Sequence, residues 1–287
     1  MKHLLSILLL FASASFASVH QAIKTIEQKS GGRLGISAID TGTGQVIEYR
    51  AQERFPFCST FKVMGVAAIL KASMKDDLLL NRKIHYTKKD LVEYSPITQQ
   101  HVHDGMSVAE LCGATITMSD NTAINLLMHV LGGPEAISDF ARIIGDHQFN
   151  LTHWEPNLNS AIPGEKRDTT TPKAMMESLK NLVLGTVLNA KQKELLLDWL
   201  THNTTGNHRI RAGVSHQWII ADKTGTGGYG TTNDIGIVYP SHCKPIVLVI
   251  YFTQKEKNAT ANESVIASAT KILMSEFRNT NKCLQDT

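Results

Sequence analysis

The chain of 287 residues is poor in aromatic residues (6%) and has only 4 Cys, 8 Pro and 20 Gly. These numbers exclude collagen-like, coiled-coil and disulfide-dense proteins. The net charge is only +3 and the basic residues are spread along the chain, so neither nucleic acid nor an anionic membrane is an expected partner. A hydrophobic content of 42% with so little net charge excludes disorder. The length suits one large domain or two closely packed ones.

Residues 1–17 have the pattern of a secretory signal peptide. A short basic start is followed by the apolar run Leu4–Phe11 and by small residues ending in Ser15-Phe16-Ala17. The apolar stretch covers about 13 residues, whereas a membrane-spanning helix needs roughly 20, which disfavours a membrane anchor. We therefore expect a bacterial protein that is exported to the periplasm, cut after about Ala17, and then soluble, monomeric and free of the membrane.

The cysteines matter in an oxidising compartment. The four cysteines are Cys58, Cys112, Cys243 and Cys283. None belongs to a Cys-x-x-Cys pair, so neither a thiolate zinc site nor a thioredoxin-like site is indicated. Three complete sets of disulfide pairings are open to them. The predicted strand 246–253 spans roughly 26 Å and the predicted helix 263–277 roughly 23 Å. If the two run antiparallel, Cys243 and Cys283 meet at one end of the sheet. This predicts a disulfide between them and leaves Cys112 reduced in the helical region.

Hydrophobic periodicity indicates β-rich ends and a helical middle. The predicted helices at the two ends cover 19–29 and 263–277, and the middle is mostly helical from about 59 to 200, broken at Gly132-Gly133-Pro134. The predicted strands are 33–39, 46–50, 218–223, 232–239 and 246–253. The expected fold is therefore α/β plus all-α. Residues 18–57 and 203–287 form a five-stranded antiparallel sheet flanked by helices, and 58–202 form an inserted helical domain that includes the long loop 153–172.

Cys58-Ser59-Thr60-Phe61-Lys62 precedes a run that is apolar all round, which indicates a buried helix. Ser59 would lie at the N-terminal end of that helix, where free N–H groups favour developing negative charge. Lys62 follows three residues later on the same face. Burial should lower the pKa of Lys62, and a neutral amine beside a serine is suited to act as a general base. Taken alone, the pattern also fits a capping serine with a solvent-reaching lysine.

Two further polar clusters are ambiguous when each is taken alone. Ser119-Asp120-Asn121 lies between helical segments and fits a helix cap. The stretch 222–230 is rich in glycine and carries Lys223, Thr224 and Thr226 at a strand edge. It fits either a hairpin or a site for a substrate carboxylate and its neighbouring carbonyl. A phosphate-binding loop is not indicated, because the lysine precedes the glycines.

Together, Ser-x-x-Lys, Ser-Asp-Asn and Lys-Thr-Gly resemble the motifs of the penicillin-recognising serine enzymes, in the same order. A fourth motif, Trp154-Glu155-Pro156-Asn157-Leu158-Asn159, resembles the omega loop of class A β-lactamases. The resemblance covers nearly the whole chain after residue 17. It implies a β-lactamase/transpeptidase-like fold, and hydrolysis of penicillins and cephalosporins through a serine acyl-enzyme that confers antibiotic resistance. It implies no cofactor and no metal.

The resemblance also implies roles for single residues. Ser59 would be the nucleophile, with its backbone N–H and that of Thr226 as the oxyanion hole. Lys62 would help to deprotonate it, Ser119 would pass a proton to the leaving nitrogen, and Glu155 would activate the deacylating water. Whether Lys62 or Glu155 is the base for acylation stays open. The substrate-binding residues would be Tyr94, Asn121, Asn159, Arg209, Lys223, Thr224 and Thr226.

In this family an arginine supports the carboxylate pocket from one of two positions. The position on the strand after Lys-Thr-Gly holds Thr232 here, and the position about fourteen residues before the lysine holds Arg209. The second arrangement resembles the carbapenem-hydrolysing branch, which also links a cysteine before the serine to one that lies two residues after Lys-Thr-Gly. Gly227 occupies that second place. Cys58 therefore lacks the expected partner and should be reduced.

Two histidine patterns need an interpretation. Class A enzymes usually lock the omega loop with an arginine bridged to an aspartate; here the aspartate is Asp168 but the arginine position holds His153. Such a pair is charged only when the histidine is protonated. The stretch His101-Val-His103-Asp104 superficially resembles a zinc-hydrolase motif, but its aspartate is one position early and a further histidine is missing. We interpret it as a polar loop.

Two other functions share part of the pattern. A D-alanyl-D-alanine peptidase of the cell wall shares three motifs, but Glu155 and Asn159 favour release of the acyl group by water. A penicillin-binding sensor domain stays acylated and needs membrane segments, which the predicted mature chain lacks. Repeated turnover of a chromogenic cephalosporin would distinguish a β-lactamase from both.

Overall fold

The computed structural model describes residues 18–285, so the predicted signal peptide lies outside the described residues. Five strands form one antiparallel sheet in the order β2-β1-β9-β8-β7, and the other strands form two-residue pairs, β3 with β6 and β4 with β5. In chain order the strands are β1 (Arg33–Asp40), β2 (Val46–Tyr49), β3 (Phe55–Pro56), β4 (Lys83–Ile84), β5 (Met106–Ser107), β6 (Thr169–Thr170), β7 (Ile219–Gly227), β8 (Thr231–Tyr239) and β9 (Ile246–Thr253).

The central strand β9 explains why the sheet carries two hydrophobic cores. Every residue of Ile246–Thr253 is buried, and the run is apolar almost throughout, as expected for a strand covered on both faces. Successive side chains point to opposite faces. Val247, Val249 and Tyr251 therefore join the core on the helical side. Their neighbours Ile246, Leu248, Ile250 and Phe252 join the core on the other side.

Two terminal helices cover one face of the sheet, and the inserted helices cover the other. The helices are α1 (residues 18–30), α2 (Lys62–Ser73), α3 (Val108–Thr117), α4 (Asn121–Leu131), α5 (Pro134–Ile143), α6 (Pro172–Val183), α7 (Ala190–Thr201), α8 (Glu263–Thr280) and α9 (Lys282–Gln285). Residues of α1 and α8, such as Ile23 and Ile266, lie in one core with β9. Helix α2 is buried over Lys62–Leu70, so it forms the centre of the helical side.

The helix boundaries follow from local chemistry. Helix α4 begins after Asp120, whose side chain accepts from the backbone N–H of Ala123, and ends at Gly132, which has φ of 100°. A positive φ suits glycine because it has no Cβ. Helix α5 starts at once with Pro134 in its first turn, where a missing N–H costs nothing. These caps fix the chain just before and after the Ser119-Asp120-Asn121 motif.

The fold class is confirmed, with corrections at several element ends. The second strand ends at Tyr49 rather than at residue 50, because Arg50 has φ of 46° and turns the chain. Strand β7 continues to Gly227, so Lys-Thr-Gly lies inside a strand and the turn comes after it. Helix α8 runs three residues past Phe277. The division into domains at 57–58 and 202–203 stays a prediction.

The cysteine prediction is confirmed. Cys243 and Cys283 form a disulfide with Cα atoms 5.9 Å apart, joining the turn before β9 to the end of the C-terminal helices. Cys58 and Cys112 are free thiols and are buried. The disulfide closes a loop with a sequence separation of 40.

Removing this disulfide should lower the free energy of unfolding by about 2–4 kcal/mol, because it constrains the unfolded chain. The change is Cys243→Ser together with Cys283→Ser, measured by urea unfolding under oxidising conditions. Reduced wild-type protein should unfold at the same urea concentration as the double variant. The reductant should not change the unfolding midpoint of the double variant. Equal midpoints for oxidised and reduced wild type would contradict the prediction.

Candidate active site

A cleft of about 730 Å³ lies between β7, the helical side and the omega loop (residues 153–172). Most of the predicted site residues line it: Ser59, Tyr94, Ser119, Asn121, Asn159, Arg209, Thr224 and Thr226. The remaining ones, Lys62, Glu155 and Lys223, are buried and contact the lining residues. The structure therefore brings all of the predicted residues together, from both ends and the middle of the chain.

Ser59 lies in a short 3-10 turn, Cys58–Phe61, which leads directly into α2. Its side chain donates to Oε1 of Glu155 at 3.3 Å. The preceding Cys58 has φ of 45°, a conformation that costs energy for a residue with a Cβ. Backbone strain of this kind is often kept where it holds a functional group in place. Here it turns the chain so that Ser59 faces the cleft.

Lys62 is completely buried and lies among oxygen acceptors. Its Nζ donates to the Asn121 side chain at 2.6 Å and to the backbone oxygen of Ser119 at 2.7 Å. It lies 3.1 Å from Oε1 of Glu155, the same oxygen that Ser59 contacts. Burial lowers the pKa of Lys62, while the charge of Glu155 opposes that shift. Loss of the Glu155 charge would therefore lower the pKa of Lys62 further.

Ser119 stands between two lysines. Its Oγ accepts from Lys62 at 3.2 Å and from Lys223 at 3.0 Å. Because both lysines donate to this one hydroxyl oxygen, the Ser119 proton is free to point into the cleft. Burial and the nearby charge of Lys62 lower the pKa of Lys223. A hydroxyl held in this way can receive a proton from one lysine and pass its own to a group in the cleft.

The other two residues of the Ser-Asp-Asn motif hold parts of the fold around the cleft. Asp120 caps α4 and accepts from the backbone N–H groups of Ile97 and Thr98. It thereby holds the segment that carries Tyr94, which is 56% exposed at the mouth of the cleft. Asn121 donates to the backbone oxygen of Glu93 and accepts from Lys62. The helix-cap interpretation of this motif is therefore confirmed for Asp120, and the roles of Ser119 and Asn121 in the reaction stay a prediction.

Glu155 is held from two sides. Asn159, four residues later, donates to its Oε2 at 2.5 Å. Asn125 of α4 bonds the Glu155 backbone twice, donating to its oxygen and accepting from its N–H, each at 3.0 Å. The Oδ1 atom of Asn159 is buried and has no hydrogen-bond partner among the described residues. An acceptor without a partner beside a carboxylate is a suitable place for a water.

Asn125 was missed by the sequence interpretation. It lies four residues after Asn121, so both side chains face the same side of α4. That spacing is the signal in the sequence, because a polar residue within a buried helical run needs a hydrogen-bond partner.

The ends of the omega loop are joined as the sequence predicts. His153 Nδ1 lies 2.5 Å from Oδ2 of Asp168, and Oδ1 of Asp168 accepts from the backbone N–H groups of Thr152 and His153. Trp154 packs against His129 of α4 with the two rings tilted by 33° and their centroids 4.5 Å apart. The loop is therefore fixed at its neck by one aspartate and on its inner side by α4, which keeps Glu155 in position.

Arg209 is buried beside the edge strand β7, which places it at the predicted carboxylate pocket. Its Nη1 donates to the backbone oxygens of Gly225 and Asn233 at 3.0 and 2.8 Å, and its Nη2 donates to Thr226 Oγ1 at 2.7 Å. Its Nε pairs with Glu263 at 3.0 Å. The guanidinium thus holds the strand and the Thr226 hydroxyl in place.

Gly227 has no space for a side chain. A Cβ there would lie 2.6 Å from Cys58 Sγ and 2.6 Å from the backbone oxygen of Asn159. The next residue, Gly228, donates its N–H to that same Asn159 oxygen at 2.9 Å. The two glycines let the omega loop close against the edge of β7, which sets the width of the cleft on that side.

Residues 18–277 match the family model described as the β-lactamase enzyme family. The chain is 50% identical over 273 residues to β-lactamase CTX-M-97 of Escherichia coli, covering 94% of each protein. It is 49% identical over 269 residues to β-lactamase OXY-2 of Klebsiella oxytoca, covering 93% of each. A solved structure, the crystal structure of a β-lactamase from Desulfarculus baarsii DSM 2075, aligns with a TM-score of 0.89 and 46% identity, over 90% of this chain and 96% of that one.

Proposed function

The chain belongs to the β-lactamase enzyme family, and we propose that it opens the β-lactam amide bond through an acyl-enzyme on Ser59. It is a class A serine β-lactamase that hydrolyses penicillins and cephalosporins and confers resistance to them. The cell-wall peptidase and the penicillin-binding sensor are not favoured. The roles of the single residues in this reaction are our proposal.

The position of Glu155 carries the proposal. One of its oxygens faces the nucleophile, 3.3 Å from Ser59 Oγ, and the other faces Asn159. A carboxylate between the nucleophile and a polar place for water can take a proton from either one, and general bases act at such distances. This arrangement supplies a base for both half-reactions and explains why water, rather than another acceptor, ends the cycle.

In acylation, Ser59 attacks the β-lactam carbonyl and gives up its proton toward the Glu155–Lys62 pair. The carbonyl oxygen would be bound by the N–H groups of Ser59 and Thr226, since β7 is an edge strand with backbone groups free to face a substrate. The C–N bond then breaks, and its nitrogen takes the hydroxyl proton of Ser119. Lys62, which bonds Ser119 Oγ, restores that proton.

In deacylation, a water between Glu155 and Asn159 attacks the ester on Ser59. Glu155 takes the proton of the water, and Asn159 orients both groups. The ester C–O bond breaks, and the proton returns to Ser59 as the product acid leaves. The buried Oδ1 of Asn159, which has no hydrogen-bond partner within residues 18–285, supports a water at this place.

The substrate carboxylate would be bound by Lys223, Thr224 and Thr226, with Arg209 behind them. Arg209→Ala should lower kcat/KM for benzylpenicillin by a factor that corresponds to roughly 1–3 kcal/mol of lost transition-state stabilisation. The reason is the loss of the charged group that holds Thr226 and the strand for the carboxylate. Arg209→Lys should recover only part of this, since lysine cannot span two carbonyls and a hydroxyl at once. Arg82→Ala, at an exposed arginine outside the cleft, is the control. An unchanged kcat/KM for both penicillins and cephalosporins would remove Arg209 from the site.

We further propose weak turnover of carbapenems. Arg209 stands where the carbapenem-hydrolysing branch has its arginine, but Cys58 is free and faces Gly227 instead of a second cysteine. In place of a covalent link, the segment before Ser59 and strand β7 are packed closely here, since a Cβ at Gly227 would lie 2.6 Å from Cys58 Sγ. A panel of penicillins, cephalosporins and carbapenems would rank the substrates.

The proposed setting is the periplasm, where the enzyme would act as a monomer after removal of residues 1–17. Within residues 18–285, no helix is long and apolar enough to cross a bilayer. The disulfide Cys243–Cys283 supports export, because such bonds persist in oxidising compartments.

Turnover of nitrocefin tests the function directly. Many turnovers per enzyme molecule are expected, whereas a peptidase or sensor would release only one equivalent. Ser59→Ala should abolish both turnover and acylation. A single stoichiometric burst by the wild-type protein would contradict the proposed function.

A further inference from the structure

Thr205 brings into the carboxylate pocket a hydroxyl that neither half-reaction uses. It lies in the loop after α7 and lines the cleft beside Thr224. Its Oγ1 is 2.5 Å from Oγ1 of Thr224 and 2.8 Å from Oδ1 of Asn203. Each threonine hydroxyl has only one proton, so the direction of both bonds follows from their surroundings.

The amide of Asn203 sets that direction. Its Nδ2 donates to Oδ2 of the buried Asp222 at 2.9 Å, so its Oδ1 faces Thr205. An amide oxygen can only accept, and Thr205 therefore gives its one hydroxyl proton to Asn203. Thr224 must then be the donor between the two threonines. With these contacts the Thr224 proton thus points at the pocket wall and away from the cleft.

A substrate carboxylate reverses this order. Because a carboxylate only accepts, Thr224 must turn its proton toward it in order to bind it. The Thr224 oxygen is then left facing Thr205 as an acceptor, and Thr205 must turn its own proton away from Asn203. The amide oxygen of Asn203 keeps the backbone N–H of Thr205, at 3.2 Å, so the reversal leaves no buried acceptor without a donor.

We propose that Thr205 is a positioning residue for the substrate carboxylate, acting through a hydroxyl pair with Thr224 that reverses direction when the carboxylate binds. In the bound state Thr205 donates to Thr224, and Thr224 donates to the substrate. A chain of two hydroxyls that ends at an anion polarises each O–H group, which strengthens the last bond. The inference rests on the proposed function, since it needs a carboxylate-bearing substrate in this pocket.

A static hydrogen bond between Thr205 and Thr224 would have the opposite effect on KM to a hydroxyl pair that reverses direction. If Thr205 were only an acceptor that holds the Thr224 proton at the wall, removing its hydroxyl would free Thr224 and tighten substrate binding. The sign of the change in KM therefore separates the two roles. Thr205→Val keeps the shape of the side chain and removes the hydroxyl, while Thr205→Ser keeps the hydroxyl.

The reversing pair predicts that Thr205→Val raises KM for benzylpenicillin roughly 3- to 10-fold, with kcat changed less than about 2-fold. Thr205→Ser should stay within about 2-fold of wild type in both. If the valine variant does not fold, Thr205→Ala gives the same comparison. A KM that falls, or that stays at the wild-type value, would overturn the proposal.

Two further arms test whether the effect passes through Thr224 and the carboxylate. In a Thr224→Val background, Thr205→Val should add no further loss, and a full additional loss would refute the coupling. With the methyl ester of benzylpenicillin, the effect of Thr205→Val on kcat/KM should disappear. Absence of wild-type turnover of benzylpenicillin would remove the proposed function and this inference with it. Wild-type turnover with an unshifted valine variant would remove the inference alone.

Discussion

Replacing Glu155 by glutamine is expected to leave a protein that benzylpenicillin acylates but that cannot release the product. Glutamine has nearly the same shape and can still bond Asn159, but it cannot take a proton from water. General bases contribute about 10²- to 10⁴-fold, so kcat should fall on the order of 10³-fold. The intact protein should gain the mass of one opened penicillin, and this adduct should persist on the order of 10³ times longer than one wild-type turnover.

Acylation should survive because of Lys62. The charge of Glu155 raises the pKa of Lys62 against the larger effect of burial, which lowers it. Without that carboxylate, the pKa of Lys62 should fall further and its neutral form should become more populated. Only the neutral amine can take the Ser59 proton. In Glu155→Gln the acylation rate should therefore rise with pH up to the folded pKa of Lys62, which lies below the ordinary value of about 10.4.

The control for this experiment is Glu177→Gln, at an exposed glutamate of α6 outside the cleft, which should behave as wild type. Mass spectrometry at fixed times and stopped-flow acylation from pH 6 to 10 provide both readings. Either wild-type turnover or the absence of any adduct in Glu155→Gln would show that Glu155 does not have the role proposed here.

The sequence predicted the sheet because its strands have short and unambiguous patterns. Ile246–Thr253 is a continuous apolar run, and its predicted limits match β9. The pairs β3–β6 and β4–β5 were not predicted, since strands of two residues are too short to show any alternation. The predicted strand ended at Lys223, because the glycines that follow it suggest a turn. In the structure Gly225 is needed instead for close approach, since a Cβ there would lie 2.7 Å from the Phe57 backbone oxygen.

Only the site residues that belong to short sequence motifs, or that match a family position, could be predicted from the sequence. Ser59, Lys62 and the two other motifs follow from the resemblance, and their roles stay predictions that the geometry supports. Thr205 and Glu263 could not be found, because the contacts that bring them to the site, with Thr224 and Arg209 respectively, join residues that lie apart in the chain. A sequence shows which side chains are present, but pairings between distant loops depend on how the sheet and helices pack.

Replacing Lys62 by methionine should slow acylation, whereas Glu155→Gln should slow deacylation. Lys62 connects the two sides of the site, since its Nζ lies 3.1 Å from Glu155 and 3.2 Å from Ser119 Oγ. Methionine fills a similar volume without a charge, so the proton taken from Ser59 can no longer reach Ser119 and the leaving nitrogen. A buried Glu155 would also lose its nearest cation, which makes charge on the attacking serine harder to stabilise.

We therefore expect acylation by benzylpenicillin to slow on the order of 10³-fold in Lys62→Met, while Glu155 and Asn159 still hydrolyse any ester that forms. No adduct should accumulate, in contrast to Glu155→Gln. Lys75→Met, at an exposed lysine just after α2, should keep wild-type rates and shows that loss of a lysine as such is harmless. Single-turnover kinetics decide the matter. If Lys62→Met is acylated at the wild-type rate, then Glu155 alone is the acylation base and Lys62 has no part in moving the proton.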